Sequence, residues 1–86
     1  MSLANKFKYD LRINKNTPAL RKKLESLGYW QLQNGYAEWY IPIEKCPYLI
    51  TDRRGFYKGE MAPWGNGHKD CETEEQFLEL AKIPAE

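Results

Sequence analysis

Apolar and polar residues alternate between Phe7 and Ile13, and this two-residue repeat is typical of a strand with one buried face. The apolar face carries Phe7, Tyr9, Leu11 and Ile13, and the polar face carries Lys8, Asp10 and Arg12. The pattern therefore predicts a first strand over residues 7–13 that packs on one side only.

A helix is predicted to follow over residues 18–27. Thr17 is a favoured N-cap residue, and Pro18 fits the first helical position, where its missing N–H costs no hydrogen bond. Gly28 can adopt the left-handed conformation with which many helices end. The apolar residues of this segment are spaced to form one buried stripe, made of Leu20, Leu24 and Leu27.

A hairpin is predicted over residues 29–43, because Asn34-Gly35 is a strong signal for a two-residue turn. This register pairs Trp30 with Trp39 across the two strands. One face of the hairpin, expected to join the core, carries Trp30, Leu32, Ala37, Trp39 and Ile41. The opposite face, expected to be half exposed, carries Tyr29, Gln31, Glu38 and Tyr40.

A second hairpin is predicted from residues 48–51 and 56–58. The intervening Asp52 and Gly55 suit the first and fourth positions of a type I turn with a glycine bulge. An irregular, glycine-rich stretch over residues 59–67 then surrounds Trp64. Loops of this kind on a rigid scaffold often carry binding, although Trp64 could instead fold back as a lid on the core.

A last strand is predicted at Asp70-Cys71, followed by a second helix. Thr73 and Gln76 have the spacing of a capping box, and acidic residues in the next turn favour the positive end of the helix dipole. The buried stripe of this helix is formed by Phe77, Leu80 and Ala81.

These elements predict an α+β fold, a two-layer sandwich of about five strands with both helices on one face. We expect the sheet to be mostly antiparallel. The alternative is a mixed sheet, if the first helix makes a right-handed crossover that leaves the first strand and the first hairpin parallel.

The chain has 86 residues, which is the size of one domain. Residues 1–3 resemble a vector leader, so the single domain is expected over residues 4–86. The sequence has no apolar run of the ~20 residues that a membrane span requires and no signal peptide. We therefore expect a cytoplasmic protein without a membrane partner.

Charge is distributed unevenly along the chain. Residues 1–27 hold seven basic and two acidic side chains, whereas residues 70–86 hold six acidic and one basic, and the net charge is only +1. We expect the two helices to lie side by side so that these charges cancel. Helices lying apart would instead create a polar field across the molecule.

Three segments resemble a group of small proteins encoded by phages and prophages of gut bacteria: FKYDLRINKNTPALRKKLESLGY, YLITDRRGFY and DCETEEQFLELA. The resemblance covers most of the chain in the same order and rests on caps, turns and helix stripes. It departs from the group at Glu72, where a glycine is usual, and in lacking the longer C-terminal segment that often follows. The resemblance implies a phage or prophage setting, but no activity or catalytic residue, since none is assigned to the group.

The few residues able to support catalysis or metal binding lack the usual spacing. Cys46 and Cys71 are expected to be reduced and buried, although a disulfide stays open without knowledge of their separation. A metal site would need these cysteines with His68 and Asp70, without the ligand pairs of structural zinc. Cys–His catalysis is disfavoured because alternation places residues 68 and 71 on opposite faces of a strand. We expect no cofactor and no enzyme.

We expect a non-enzymatic module that binds a host or phage protein, or a second copy of itself. Tyrosine and tryptophan combine a large contact area with a polar group, as interface anchors require. The predicted contacts lie on the uncovered sheet face and the glycine-rich loop, at Tyr29, Tyr36, Tyr40 and Trp64.

Nucleic-acid binding is the alternative. A basic face of the first helix and a hairpin tip with an adjacent aromatic ring could contact phosphates and a base. The residues concerned are Arg21, Lys22, Arg53, Arg54 and Tyr57. The isoelectric point of about 7.7 is below that of typical nucleic-acid-binding domains, so we rank this function second.

Replacing Thr73 by alanine tests the predicted start of the second helix. Thr73→Ala should lower the free energy of unfolding by about 1 kcal/mol, because one N-terminal amide loses its acceptor. Urea unfolding followed by circular dichroism would measure the change. An unchanged midpoint would mean that the helix begins elsewhere.

Overall fold

Five short strands and two helices form the fold in the part of the chain that the structure describes. The computed structural model describes residues 4–33, 40–63 and 67–85. The strands are β1 (Leu11–Ile13), β2 (Trp30–Gln31), β3 (Tyr48–Thr51), β4 (Phe56–Glu60) and β5 (Lys69–Cys71), and the helices are α1 (Pro18–Ser26) and α2 (Glu74–Ala81). A 3₁₀ helix spans Ile43–Lys45. Several predictions lie outside the described residues: the Asn34-Gly35 turn, Tyr36, Ala37, Glu38, the Trp30–Trp39 pair and Trp64.

The strands form one mixed sheet in the order β2-β4-β3-β1-β5. β3 is antiparallel to both of its neighbours, β1 and β4, whereas β1 with β5 and β2 with β4 are parallel pairs. The predicted α+β class is therefore confirmed, with the sheet in its mixed form. The parallel partner of β1 is β5 and not the strand of the first hairpin, because the chain carries β2 past β3 and β4 to the sheet edge.

The core lies between the helices and one face of the sheet. Leu20 and Leu24 of α1 and Phe77 and Ala81 of α2 are buried there, as their spacing predicts. The sheet contributes the side chains of Leu11, Ile13, Leu49, Tyr57 and Cys71. The helices cover this face, and the opposite face of the sheet is called the open face below.

Both ends of α1 are closed by hydrogen bonds that the sequence predicted. The hydroxyl oxygen of Thr17 accepts from the Leu20 amide at 3.1 Å. At the other end Gly28 has a φ of 108°, and the amides of Gly28 and Tyr29 donate to Glu25 and Leu24 carbonyls, both at 3.1 Å. These two bonds form a Schellman motif.

Tyr29 is buried, so the prediction that it is half exposed is wrong. The motif that ends α1 turns the chain back toward the core at this residue. The Tyr29 ring stacks on Phe7 with centroids 4.2 Å apart, and its hydroxyl donates to the Ala81 carbonyl at 2.7 Å. Burial raises the pKa of this hydroxyl.

Trp30 has the opposite orientation, and its predicted place in the core is wrong as well. Because side chains alternate along a strand, a buried Tyr29 directs Trp30 to the open face, where it is 49% exposed. Leu32 and Ile41, predicted on the same core face, are half-buried.

The first strand is shorter than predicted, since β1 begins at Leu11. Phe7 instead forms an isolated bridge with Pro84 near the end of the chain. All three residues of β1 are buried, including Arg12 on the open face.

The turn between β3 and β4 has the predicted conformation. The Gly55 amide donates to the Asp52 carbonyl at 2.9 Å, the Asp52 amide donates to the Phe56 carbonyl at 2.8 Å, and Gly55 has a φ of 102°. A bulky residue would be strained at that φ, which explains the glycine.

One of the two hydrogen bonds of the predicted capping box of α2 is present, and the other has a different partner. Thr73 accepts from the Gln76 amide at 3.1 Å, as in a capping box. The Gln76 side chain, however, accepts from the Glu72 amide at 3.0 Å and not from that of Thr73.

Opposite charges of the two helical segments meet, as expected. Glu74 at the start of α2 accepts from Lys15 at 2.8 Å and from Lys23 at 3.2 Å. These hydrogen bonds hold the pKa of Glu74 below its usual value. Two basic side chains near α1 are therefore already paired within the molecule.

The packing of α1 can be tested at Leu24, which is fully buried. Leu24→Ala should lower the free energy of unfolding by about 2–5 kcal/mol, because the substitution leaves a cavity between α1 and the sheet. The matched control is Leu78→Ala in α2. Since Leu78 is only half-buried, this variant should lower the free energy of unfolding by less. Equal losses for the two variants in urea unfolding would contradict the described packing.

Candidate functional site

Two rings and a guanidinium group form an exposed surface at the β2 edge of the open face. Trp30 of β2 lies beside Phe56 of β4 in the parallel register, with ring centroids 5.6 Å apart and planes at 58°. The Arg54 guanidinium lies over the Phe56 ring at 4.9 Å. These three residues are called the Trp30 surface below.

Arg54 is held in place by the β3–β4 turn. Its Nε and Nη2 donate to the two carboxylate oxygens of Asp52 at 2.9 and 3.2 Å, and its backbone amide donates to the same carboxylate at 2.8 Å. Partial burial would raise the pKa of Asp52, but the hydrogen bonds from Arg54 lower it overall. The guanidinium is therefore held over the Phe56 ring before any partner binds. Little side-chain conformational freedom remains for it to lose on binding.

The residues predicted to bind a protein do not form one surface in the described part of the chain. Tyr29 is in the core, and Tyr40 is 55% exposed. Tyr36 and Trp64 lie outside the described residues. Of the predicted set, only Tyr40 is thus described as accessible.

The residues predicted for nucleic acid divide into two groups. Arg53 and Arg54 are exposed at the β3–β4 turn, as expected. Arg21, Lys22 and Tyr57 come together around a cleft beside α1. Tyr57 is fully buried, so its predicted role as a ring that stacks on a base is wrong. Its neighbour Phe56 faces the arginine instead, because the two side chains alternate along β4.

The cleft beside α1 has a volume of about 330 Å³ and a polar lining. Its described lining includes Arg21, Lys22, Glu25, Gln31, Glu44 and Tyr57, and this group is called the α1 cleft below.

The Tyr57 hydroxyl connects the floor of the α1 cleft to its wall. It donates a hydrogen bond to the Glu25 carboxylate, and the Gln31 amide oxygen lies 3.4 Å away. Burial and the bond to Glu25 raise the pKa of Tyr57, while the nearby charge of Arg21 opposes the rise. Tyr57 therefore stays a neutral donor that orients Glu25.

Arg21 is oriented by an anchored amide. Its Nη1 donates to the Asn16 side-chain oxygen. The Asn16 nitrogen in turn donates to the carbonyls of Ile43 and Cys46 at 2.7 and 2.6 Å. Because both amide hydrogens of Asn16 are used, its oxygen is held facing Arg21.

A buried arginine lies at the centre of the open face. Arg12 and Asp70 form a two-bond pair, with Nε–Oδ1 at 2.7 Å and Nη2–Oδ2 at 3.2 Å. The Arg12 side chain is only 8% exposed, whereas that of Asp70 is 70% exposed. The hydrogen bond from Arg12 lowers the pKa of Asp70, and the same bond raises that of Arg12.

Cys46 and Cys71 are both buried and do not form a disulfide, and burial raises the pKa of the Cys71 thiol. No group of three histidine, cysteine or carboxylate side chains in the described ranges is placed to hold a metal ion. Within those ranges no helix has the length and apolar character needed to cross a bilayer.

Several residues of these two sites were not identified from the sequence. Trp30 was expected in the core, and Phe56, Asn16 and Glu25 were given no role. The i, i+4 spacing of Arg21 and Glu25 is a usable signal for their proximity on a helix. No local signal indicates that Tyr57, from a distant strand, lies beside them.

The chain matches no protein-family model, no curated protein and no solved structure. The resemblance to phage and prophage proteins therefore stays a prediction.

The Arg12–Asp70 pair should make the free energy of unfolding depend on pH. Asp70→Asn should destabilise the protein at pH 7, because the buried guanidinium loses its charged acceptor. The pKa of Asp70 is lowered in the folded state, so its stabilising effect is complete above its ordinary value of about 3.9 and is lost as pH falls through the folded-state value.

The difference in free energy of unfolding between wild type and Asp70→Asn should thus be constant from pH 7 to 5 and shrink below about pH 4. Urea unfolding at each pH measures it. Glu72→Gln is the control, since exposed Glu72 forms no ion pair with other described residues. A difference that stays constant at pH 3, or one that the control reproduces, would contradict the role of the pair.

Proposed function

We propose that this protein is a non-enzymatic module that binds another protein through the Trp30 surface. The observation that carries the proposal is the exposure of Trp30, 49%, on a strand whose preceding residue is in the core. A large ring left half exposed beside a second ring is a feature typical of interface anchors.

The arrangement around Trp30 favours binding at low entropic cost. The contact with Phe56 limits the motion of the indole, and the two-bond pair with Asp52 holds Arg54 over Phe56. Side chains that are ordered before binding lose less freedom when a partner arrives. Tryptophan and arginine are also the residue types most often found at the energetic centre of interfaces.

The charges near the surface support a protein partner over a nucleic acid. A phosphate would have to compete with Asp52 for Arg54, and Asp10 lies nearby with its carboxylate accepting from the Arg53 amide at 2.9 Å. The carboxylates would also repel a phosphate backbone. A protein partner can place an uncharged or basic group against these residues.

The proposed cellular setting rests on the resemblance of the sequence to phage and prophage proteins. We infer that the module acts in the bacterial cytoplasm on a host or phage protein. Self-association through the Trp30 surface is an outcome that the test below distinguishes.

Single-stranded nucleic acid is the second candidate, favoured by one specific observation. The amides of Lys6 and Phe7 both donate to the Arg53 carbonyl, at 2.8 and 2.9 Å. This brings Lys6, whose alkyl chain lies over Gly55, to the same turn as Arg53 and Arg54. Basic groups from distant parts of the chain thus gather at the β3–β4 turn, where Arg54 lies over the Phe56 ring.

Trp30→Ala is the variant that tests the proposed function. Affinity capture from a bacterial extract, followed by calorimetry with the purified partner, should show binding weakened at least about tenfold, because a central aromatic anchor is removed. Met61→Ala is the matched control, since Met61 is 54% exposed but lies outside the Trp30 surface. Sedimentation of both variants should separate a heterologous partner from a dimer.

Binding to random single-stranded oligonucleotides should be weaker than about 100 μM near physiological salt. Capture that Trp30→Ala leaves unchanged would contradict the proposal. Tight oligonucleotide binding that falls steeply with salt and is lost in Arg53→Gln would favour the second candidate.

A further inference from the structure

The α1 cleft takes no part in the Trp30 surface, and its polar groups are organised beyond what packing requires. Tyr57 projects to the helix side of the sheet, whereas Phe56 and Trp30 project to the open face. A volume of about 330 Å³ falls within the range of small-molecule sites. A larger cleft of about 560 Å³ near Lys8 and Arg53 differs in that none of its described lining residues is a buried polar side chain like Tyr57.

One wall of the cleft supplies a positioned cation. One Nη of Arg21 donates to the side chain of Asn16, which is itself held by hydrogen bonds to two backbone carbonyls. Its Nε and second Nη form no hydrogen bond with another described residue. Because Asn16 is neutral, the charge of Arg21 is not cancelled, and the neighbouring Lys22 adds a second cation to the same wall.

The same helix also supplies a positioned anion, at Glu25. The carboxylate of Glu25 accepts from the hydroxyl of Tyr57, whose side chain is fully buried. One of its two oxygens is engaged in that bond, which leaves the other to accept from a ligand. Glu44 provides a second carboxylate at the rim.

The cationic and anionic groups lie close together without forming an ion pair in the described part of the chain. Arg21 and Glu25 are one helical turn apart, so their side chains are neighbours on the surface of α1. Among the described ion pairs none joins them, because each is held by a partner of its own. A ligand between them would meet both charges at once.

We propose that the α1 cleft binds a small zwitterion of the α-amino-acid type. The ligand carboxylate would lie against the guanidinium of Arg21, whose planar donors suit two-bond contact with a carboxylate, and against Lys22. The ligand ammonium group would donate to Glu25 and to the Gln31 amide oxygen. Tyr57 and Asn16 are positioning residues that hold Glu25 and Arg21 for this contact.

The balance of charges favours a zwitterion over a simple ion. Two cations and two carboxylates line the cleft, so a phosphate would face Glu25 and Glu44 and an amine would face Arg21 and Lys22. A ligand that carries both charges on one small molecule can contact a cationic and an anionic group of the cleft together. The proposal is independent of the protein-binding role of the Trp30 surface.

Titration of ¹⁵N-labelled protein with the common amino acids, followed by amide chemical shifts, tests the proposal. At least one amino acid should shift the amides of residues 19–25 and 56–58 saturably, with a dissociation constant of about 1 mM or lower. Propionate, ethylamine and inorganic phosphate serve as probes that carry a single kind of charge, and each should bind at least about tenfold more weakly.

Arg21→Gln and Glu25→Gln should each weaken binding of that amino acid at least about tenfold, because each removes one charged contact. Arg53→Gln is the matched control, since it removes an exposed arginine outside the cleft and should leave binding unchanged. All three residues lie at the surface or in its outer layer, so the variants should fold, which their amide spectra would show.

Three results would overturn the proposal. The first is the absence of shifts at the cleft with every amino acid at about 10 mM. The second is binding of propionate or phosphate as tight as that of the best amino acid, which would mean an anion site. The third is loss of binding in Arg53→Gln together with retention in Arg21→Gln, which would place the ligand elsewhere.

Discussion

Tyr29 connects the end of α1, the N-terminal segment and the end of α2, and the seating of both helices on the sheet depends on it. Its amide closes α1 on the Leu24 carbonyl, its ring stacks on Phe7, and its hydroxyl donates to the Ala81 carbonyl. Each contact orders a different segment, and a buried hydroxyl left without its acceptor would cost about 1–3 kcal/mol. The geometry of this residue therefore determines where β2 can begin.

The short pairing of β2 with β4 builds both proposed sites. In its register Trp30 lies beside Phe56 and Gln31 beside Tyr57. Because side chains alternate, the first pair faces the open side and forms most of the Trp30 surface, while the second forms the floor of the α1 cleft. A shift of one residue in this register would exchange the two faces and remove both sites.

Cations at the surface differ in whether they are paired with a carboxylate of the same molecule. Many cations of the chain are paired with carboxylates of the same molecule: Arg12 with Asp70, Lys15 and Lys23 with Glu74, and Arg54 with Asp52. This pairing lowers the attraction for a phosphate backbone. Arg21 differs because a neutral amide holds it, so the cleft keeps a positioned charge that a ligand can use.

The candidate sites could be predicted only in part. Arg21, Lys22 and Arg54 were identified from their charge, and they lie in or beside the proposed sites. Trp30 and Tyr57 were assigned the wrong environments, because an aromatic residue in a short strand fits either face equally well. Contacts with residues distant in sequence decide the faces. The hydroxyl of Tyr29, for example, donates to a carbonyl 52 residues away, and the resulting burial of Tyr29 directs its neighbour Trp30 to the open face.

The sequence by itself determined the local structure: the Thr17 and Thr73 caps, the Gly28 end of α1, the turn at Gly55 and the apolar stripes of both helices. Each depends on bonds or spacings within a few residues, where the choice of side chain decides the backbone conformation. Only the tertiary structure decided the strand order, the parallel pairs and the faces of Tyr29, Trp30 and Tyr57. Strand pairing joins backbone groups that are chemically alike in every residue except proline, so the partner of a two- or three-residue strand is selected by the packing of the whole domain.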